Sequence, residues 1–244
     1  MNFTLTEEQA ALRNSARTLL QREAPISLAR GCYDDSAADV ETLWRHIVDA
    51  GWLELPPVEA ALVIEECAYF LAPIQLLEEL AGVTFNGLPG LDKTRGTDAV
   101  ASSELALVLL AADTMGAARW LLDATVSYVK TREQFGVPIG SFQAVQHRCA
   151  DMLVGYERAW SATYYAAMCA AEDDPELPRA AAVAKAAAAD ASIAIARGAI
   201  QLHGGIGYTW EHDLHLYMRR VYANEPLLGD AAQQRERLAD LIGA

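Results

Sequence analysis

The stretch that decides the fold is RAAAVAKAAAADASIAIARGAIQLHGGIGY, residues 179–208, in which a long alanine-rich run ends in a cluster of glycines. Alanine is the best helix former, whereas each glycine costs a helix about 1 kcal/mol relative to alanine. We therefore predict a helix over 179–203 that ends at Gly204, Gly205 and Gly207. Glycines at such a corner serve either as a helix C-cap or as a close approach of backbone to a ligand, and the pattern leaves both uses open.

Helical patterns continue on both sides of this run. Apolar residues recur at helical spacing in long segments over 102–132 and 141–171, which short turns connect, and this is typical of antiparallel helices. We predict an all-α protein with an abbreviated N-terminal helical domain over 1–81 and a C-terminal four-helix bundle over 102–244. The linker between them, 82–101, is rich in glycine, and its VTF tripeptide predicts at most a remnant β-strand.

Composition excludes several classes of function. The 244 residues carry a net charge of −14 and contain no Lys/Arg cluster, so nucleic acid is not an expected partner. The N-terminal MNFTLTEEQAALRNSA has acidic residues and no apolar core, which argues against a signal peptide. The apolar run LALVLLAA is too short to span a bilayer, so we expect no membrane span.

The four cysteines favour a reducing compartment. They are widely spaced and form no CxxC pair: Cys32, Cys67, Cys149 and Cys169. Buried free thiols are the better interpretation of such spacing than disulfides or a zinc site. We expect a cytoplasmic protein.

One corner that could carry chemistry is KTREQFGVPIGSFQ, residues 130–143. It brings Arg132, Gln134, Phe135 and Gln143 close together around one turn. A guanidinium forks well onto phosphate oxygens, and an aromatic ring beside an amide could hold a flat heterocycle. The structural alternative is a polar helix C-terminus in which Arg132 faces the carbonyl groups and Phe135 packs the loop.

A second corner, QLHGGIGY, offers another cradle. Gln201 lies one turn before Gly204 and Gly205, which would let backbone amides approach an anion or a ring edge. The spacing is not the GxGxxG that follows a strand, so a Rossmann site is excluded, and a capped helix is the structural alternative. His212 and His215 lie three residues apart, but an exposed helix face explains them better than a metal, and we expect no metal site.

Together, the two corners resemble the acyl-CoA dehydrogenase family. The matching segments are YVKTREQFGVPIGSFQAVQHRCADML and ARGAIQLHGGIGYTWEHDLHLYMRR, in this order and separated by two helices. The resemblance covers the chain from Leu105 onwards, and FTLTEEQAALRNSARTLL looks like the first helix of the family. It implies a flavoprotein that holds flavin adenine dinucleotide (FAD) at a subunit interface.

The resemblance also implies roles for the residues of both corners. The arginine and phenylalanine of REQF and the following glutamine clasp the ADP half of FAD in the family, which implies Arg132, Phe135 and Gln143 here. The QLHGG segment completes that cradle, which implies Gln201 and the two glycines after His203. The glycines are then a backbone seat for the cofactor, and the isoalloxazine ring lies largely in the other protomer.

The chain departs from the family in features that the dehydrogenation reaction needs. No middle β domain fits between Leu80 and Glu104, and the glycine-rich loop between GWLELP and ALVIEE is absent. The catalytic glutamate is missing from the two positions that the family uses, where this chain has Leu228 and Ala106. Glu104 and Glu225 are the weak candidates for a base. Because two residues turn a helix by about 200°, Glu104 points away from the position of Ala106.

Three hypotheses follow. The leading one is a subunit of a heteromeric acyl-CoA dehydrogenase that clasps FAD beside a second subunit of the same type, for fatty-acid or sterol side-chain catabolism, with electron-transferring flavoprotein as the usual acceptor. The second is a flavin-free structural or CoA-thioester-binding protein on the same bundle. The third is a stand-alone dehydrogenase, an oligomer of itself, with Glu104 or Glu225 as base.

Overall fold

The fold is built almost entirely from helices. The computed structural model describes residues 3–33, 39–73, 75–82, 85–87, 96–99 and 103–243. Its α-helices are α1 (Glu7–Glu23), α2 (Ile26–Tyr33), α3 (Val40–Asp49), α4 (Pro57–Tyr69), α5 (Leu76–Ala81), α6 (Glu104–Thr131), α7 (Gln143–Ala171), α8 (Leu177–His203), α9 (Leu214–Asn224) and α10 (Ala231–Ile242). The predicted all-α class is therefore confirmed, and α2 is an element that the sequence pattern did not predict.

Side-chain caps decide where several helices begin. Thr6 and Gln9 form a reciprocal capping box at the start of α1, and Asp230 and Gln233 form another at the start of α10. The Ser103 hydroxyl accepts a hydrogen bond from the third backbone amide after it and so begins α6. These caps satisfy amide groups that have no partner inside a helix.

Helix α6 lies at the centre of the protein. It packs against α4, α7, α8 and α9, and α10 covers the outer side of α8. Glycines permit the closest approaches, because a Cβ at Gly116 would lie 2.1 Å from the Glu65 carbonyl oxygen and one at Gly198 would lie 2.7 Å from the Met152 sulfur. Residues from α1 to α9 contribute to one continuous apolar core.

The apolar run that seemed too short for a bilayer is part of a longer apolar helix. By length and composition, the 28-residue α6 could cross a membrane, so the eight-residue run alone was too narrow a basis for the expectation. Within the protein, 89% of the most apolar window of α6 is buried. The rest of the fold therefore covers this surface.

The linker contains a pair of strands in place of the single remnant strand. β1 (Phe85–Gly87) pairs antiparallel with β2 (Gly96–Ala99). Of the predicted VTF strand, Phe85 belongs to β1, and the two residues before it lie outside the described part of the chain. β2 has the sequence GTDA, which lacks an alternation of apolar and polar residues, so the sequence pattern did not predict it.

A buried cluster of charges joins the N-terminal helices to the bundle. Glu65 and Glu66 lie side by side on α4, and the Arg119 guanidinium on α6 is 2.9 Å from a carboxylate oxygen of each. Arg13 on α1 contacts the same two carboxylates at 2.9 Å, and Tyr156 on α7 donates a 2.5 Å hydrogen bond to Glu65. Four helices thus meet at one charge cluster across the predicted domain boundary.

Candidate functional site

The two predicted corners lie at the same end of the bundle. Helices α6 and α8 end there, and α7 begins there. The Tyr128 ring near the end of α6 stacks on the His203 ring at the end of α8, with centroids 4.4 Å apart and planes 18° apart. The Arg132 corner and the glycine bend are therefore neighbours in space, joined by two residues that lie 75 positions apart in sequence.

The Arg132 corner is a short hairpin after α6. The Arg132 amide donates to the Tyr128 carbonyl at 2.8 Å and closes the helix, and β3 (Glu133–Gln134) then pairs with β4 (Val137–Pro138). Phe135 sits at the tip with φ 56°, and its ring is 93% exposed. Its ring meets the Phe142 ring edge-on, with centroids 6.2 Å apart, while most of its surface remains in solvent.

Two of the polar side chains of this corner are free to bind a ligand. Arg132 is exposed, and its guanidinium has no hydrogen-bond or ion-pair partner among the described residues. Gln143 is the first residue of α7 and is also exposed. The Gln134 side chain instead donates to the Glu133 carbonyl at 2.7 Å. Arg132 and Gln143 therefore offer donors that the fold does not use.

The three glycines of the bend differ in whether the fold itself favours glycine at their positions. Gly204 has φ 61°, a left-handed conformation that strains other residues. A Cβ on Gly207 would lie 2.8 Å from Ile200 Cδ1 and 3.1 Å from His203 Cβ, so neighbouring side chains would have to move to admit it. Gly205 has neither constraint, because its φ is not positive and nothing lies within 4 Å of an added Cβ.

This donor set fits the diphosphate part of a dinucleotide. A free guanidinium supplies charged hydrogen bonds to phosphate oxygens, and an open backbone at Gly205 lets amide groups come close. Gln201 is exposed one turn before the bend and can add a side-chain amide. The surface is open, as the exposure of Phe135 shows, so enclosure of a ligand would need a second chain.

Neutral histidines surround the bend. His203 is 4% exposed; burial lowers its pKa, the hydrogen bond with the Ala199 carbonyl opposes that shift, and His212 adds to it. Burial also lowers the pKa of His212, against the attraction of Asp213. His212 and His215 belong to no group of three or more potential metal ligands among the described residues.

Sequence reasoning missed Tyr128, whose signal is an aromatic residue one turn before Arg132.

The weak candidates for a base are placed elsewhere. Glu104 begins α6, whereas Arg132 follows its last residue, so about 40 Å separates them along the helix. The Glu104 carboxylate forms an ion pair with Arg237 of α10. Glu225 follows α9 and lines a cavity of about 460 Å³ on the outer side of α8. The structure brings neither carboxylate to the two corners.

Lys185 is a buried cation that holds the loop after α9. Its ammonium group donates a 2.8 Å hydrogen bond to the Glu225 carbonyl oxygen. Burial lowers the pKa of Lys185 to about 8, although the charges of Glu225 and Asp230 oppose the shift. At neutral pH the buried Lys185 ammonium group is therefore charged, which lowers the stability of the folded protein.

This cost predicts a pH dependence of stability. Between pH 8 and 10.5 the unfolded chain keeps the Lys185 proton longer than the folded chain does, so the free energy of unfolding rises with pH there. Relative to Lys185→Met, the wild type should gain about 3 kcal/mol across this interval. Urea unfolding of both proteins at several pH values measures the difference, and Lys130→Met, at an exposed lysine, is the control. A pH-independent difference would contradict the buried-charge explanation.

Comparison with known proteins connects these features to one family. The profile described as "Acyl-CoA dehydrogenase, C-terminal domain" matches residues 101–243. Acyl-CoA dehydrogenase FadE34 of Mycobacterium tuberculosis is 50% identical over 142 residues, which are 58% of this chain and 20% of that protein. Acyl-CoA dehydrogenase IpdE2 of Mycolicibacterium smegmatis is 41% identical over 153 residues, 62% of this chain and 46% of that protein. The chain thus spans less than half the length of these curated relatives.

A solved structure has the same fold over the whole chain. The crystal structure of the ChsE4-ChsE5 complex from Mycobacterium tuberculosis superposes with a TM-score of 0.83 at 20% identity, covering 100% of this chain and 99% of that chain. At this identity the likeness concerns the fold. It confirms an arrangement of helices that is shared with a chain of a two-component complex.

Proposed function

The chain belongs to the acyl-CoA dehydrogenase family, and from this premise we propose that it is a subunit that clasps the ADP half of FAD for the α,β-dehydrogenation of an acyl-CoA thioester. One observation supports the proposal most: the free Arg132 guanidinium and the open backbone of Gly205 lie at the same end of the bundle. Neither feature is needed to stabilise the fold, and both suit a diphosphate.

The residues of each corner have distinct tasks in this proposal. Arg132 binds phosphate oxygens through its guanidinium, Gln143 and Gln201 donate side-chain hydrogen bonds, and the Gly204–Gly205 backbone forms the floor. Phe135, at the tip of the hairpin, offers its ring to the partner side of the cofactor. When bound there, FAD would supply the hydride acceptor for the substrate β-carbon.

We also propose that the catalytic base comes from a second subunit of acyl-CoA dehydrogenase type. Proton abstraction needs a carboxylate within hydrogen-bond reach of the substrate α-carbon. The family resemblance aligns Leu228 and Ala106 with the base positions, and Arg237 forms an ion pair with the nearby Glu104. The ChsE4-ChsE5 complex is a precedent for two different chains of this fold in one assembly. A heteromer would supply both the base and the cover that the open surface lacks.

Co-expression with full-length acyl-CoA dehydrogenases encoded near its gene tests the proposal. We expect a yellow complex, and native mass spectrometry should report both chains and FAD in one assembly. Arg132→Ala should weaken FAD retention about 10–100-fold, because a hydrogen bond to a charged group contributes about 1.5–3 kcal/mol. Arg179→Ala, at the opposite end of α8, is the matched control.

The opposite outcome would favour a flavin-free protein. If every such partner leaves the chain colourless and separate, and excess FAD is not retained, the cofactor proposal is wrong. If the chain alone with FAD oxidises acyl-CoA and Glu104→Gln or Glu225→Gln abolishes that activity, the stand-alone hypothesis replaces the heteromer.

A further inference from the structure

A ring stack connects the two corners of the candidate site at their bases. His203 is the last residue of α8 and immediately precedes Gly204. Tyr128 lies one turn before Arg132, whose amide donates to the Tyr128 carbonyl at 2.8 Å. The two rings are nearly parallel with centroids 4.4 Å apart, and the Tyr128 hydroxyl donates to the His203 carbonyl oxygen at 3.5 Å. A single ring pair therefore lies next to both corners.

The histidine ring is held in a defined orientation. His203 Nδ1 is 2.8 Å from the Ala199 carbonyl oxygen, so Nδ1 carries the proton and donates. Its Nε2 is then an acceptor, and it is buried without a hydrogen-bond partner among the described residues. A neutral imidazole suits this environment, because a second proton on Nε2 would be a buried donor without an acceptor.

The surroundings of the ring explain why it stays neutral. From α6 it faces the Tyr128 phenol, and from the segment after the bend it faces the His212 ring, edge-on with centroids 4.9 Å apart. Asp213 lies beyond His212 and is paired with Arg30. Within the described residues, no carboxylate forms an ion pair with His203.

We propose that His203 and Tyr128 are positioning residues that fix the spacing between the Gly205 backbone and the Arg132 guanidinium, so that both corners hold one diphosphate. The inference rests on the proposed function. It assigns to two side chains a task that neither performs by touching the cofactor. Tyr128 acts through the last turn of α6, and His203 acts through the first residue of the bend.

Hydrogen exchange of the bend tests the positioning without any ligand. We expect Tyr128→Leu to raise amide exchange within 203–208 about tenfold, because an aromatic pair of this strength is lost. Tyr128→Phe keeps the stack and should rescue protection to within about twofold. Trp120→Leu is the matched control, since it removes another ring stack on α6, the one with Tyr217 at 3.7 Å. Equal exchange in Tyr128→Leu and Trp120→Leu would overturn the proposal.

Cofactor affinity in the assembled complex gives the second readout. Tyr128→Leu and His203→Leu should each weaken FAD binding about tenfold, and the double variant should be no weaker than either single variant, because both remove one interaction. Trp120→Leu should bind FAD as the wild type does. Additive losses, or wild-type affinity in both single variants, would overturn the positioning role while the proposed function stands.

Hydrogen exchange of the bend and FAD affinity together distinguish a failure of this inference from a failure of the proposed function. If the wild type retains FAD neither with any partner nor with excess FAD alone, the proposed function fails. A rise of exchange within 203–208 specific to Tyr128→Leu would still support the ring pair as the element that holds the bend.

Discussion

Arg119→Met is expected to lower the free energy of unfolding by about 3–5 kcal/mol, because it leaves buried carboxylates without their main counter-charge. Arg119 is 2.9 Å from both Glu65 and Glu66, whose side chains have no exposed surface. Burial raises the pKa of Glu65, although Arg119 and Arg13 oppose the rise. Urea unfolding followed by circular dichroism at neutral pH measures the loss.

The expectation for Glu66 supports the same result. Burial alone would raise the pKa of Glu66, but the charge of Arg119 and hydrogen bonds from the surrounding arginines outweigh it and hold the pKa below its ordinary value. Removal of Arg119 takes away the largest of these favourable contributions. Among the described residues, the Glu66 carboxylate then keeps Arg13 and the half-exposed Arg17 as partners.

An exposed ion pair provides the control for this prediction. Arg22 pairs with Glu23 at the end of α1, and the Arg22 side chain is largely in solvent. Arg22→Met should therefore change stability by less than about 1 kcal/mol. If Arg119→Met lowers the free energy of unfolding as little as Arg22→Met does, water or protonation must compensate the buried carboxylates. The charge cluster would then not stabilise the contact between the N-terminal helices and the bundle.

The sequence predicted the helices but not this cluster. Alanine-rich runs, caps and glycine breaks are local signals, and they gave the long helices α6, α7 and α8 close to their observed ends. Glu65 and Glu66 lie within a segment whose pattern predicts a helix but does not indicate which residues pair with their carboxylates. Their partners come from three other helices, so the cluster depends on how helices are rotated against each other, which local patterns do not contain.

The candidate site was partly predictable for a similar reason. Each corner has a local signal, a free arginine after a helix or glycines at a break, and the family resemblance joined them. The Tyr128–His203 stack that places them together depends on the relative length of α6 and α8. The linker prediction was incomplete because β2 pairs with a strand nine residues away and has no alternating pattern of its own.

Gly205→Leu is expected to weaken FAD binding without loss of stability, which makes it the sharpest test of the bend. The backbone at this position has no left-handed strain, and an added Cβ meets nothing within 4 Å. The free energy of unfolding should stay within about 0.5 kcal/mol of the wild type. A leucine side chain would occupy the space through which the backbone approaches the cofactor, so Kd for FAD in the complex should rise at least about tenfold, or about 1.4 kcal/mol.

Gly207→Val is the matched substitution, and it should lower stability, because it acts on the packed side of the bend. A Cβ there lies 2.8 Å from Ile200 and 3.1 Å from the His203 Cβ, so the packed side of the bend must shift at a cost of about 1–3 kcal/mol. Thermal unfolding and FAD titration of both variants separate the two effects. Full FAD affinity in Gly205→Leu would mean that the open side of the bend faces solvent rather than a ligand, and the glycines would then serve only to end α8.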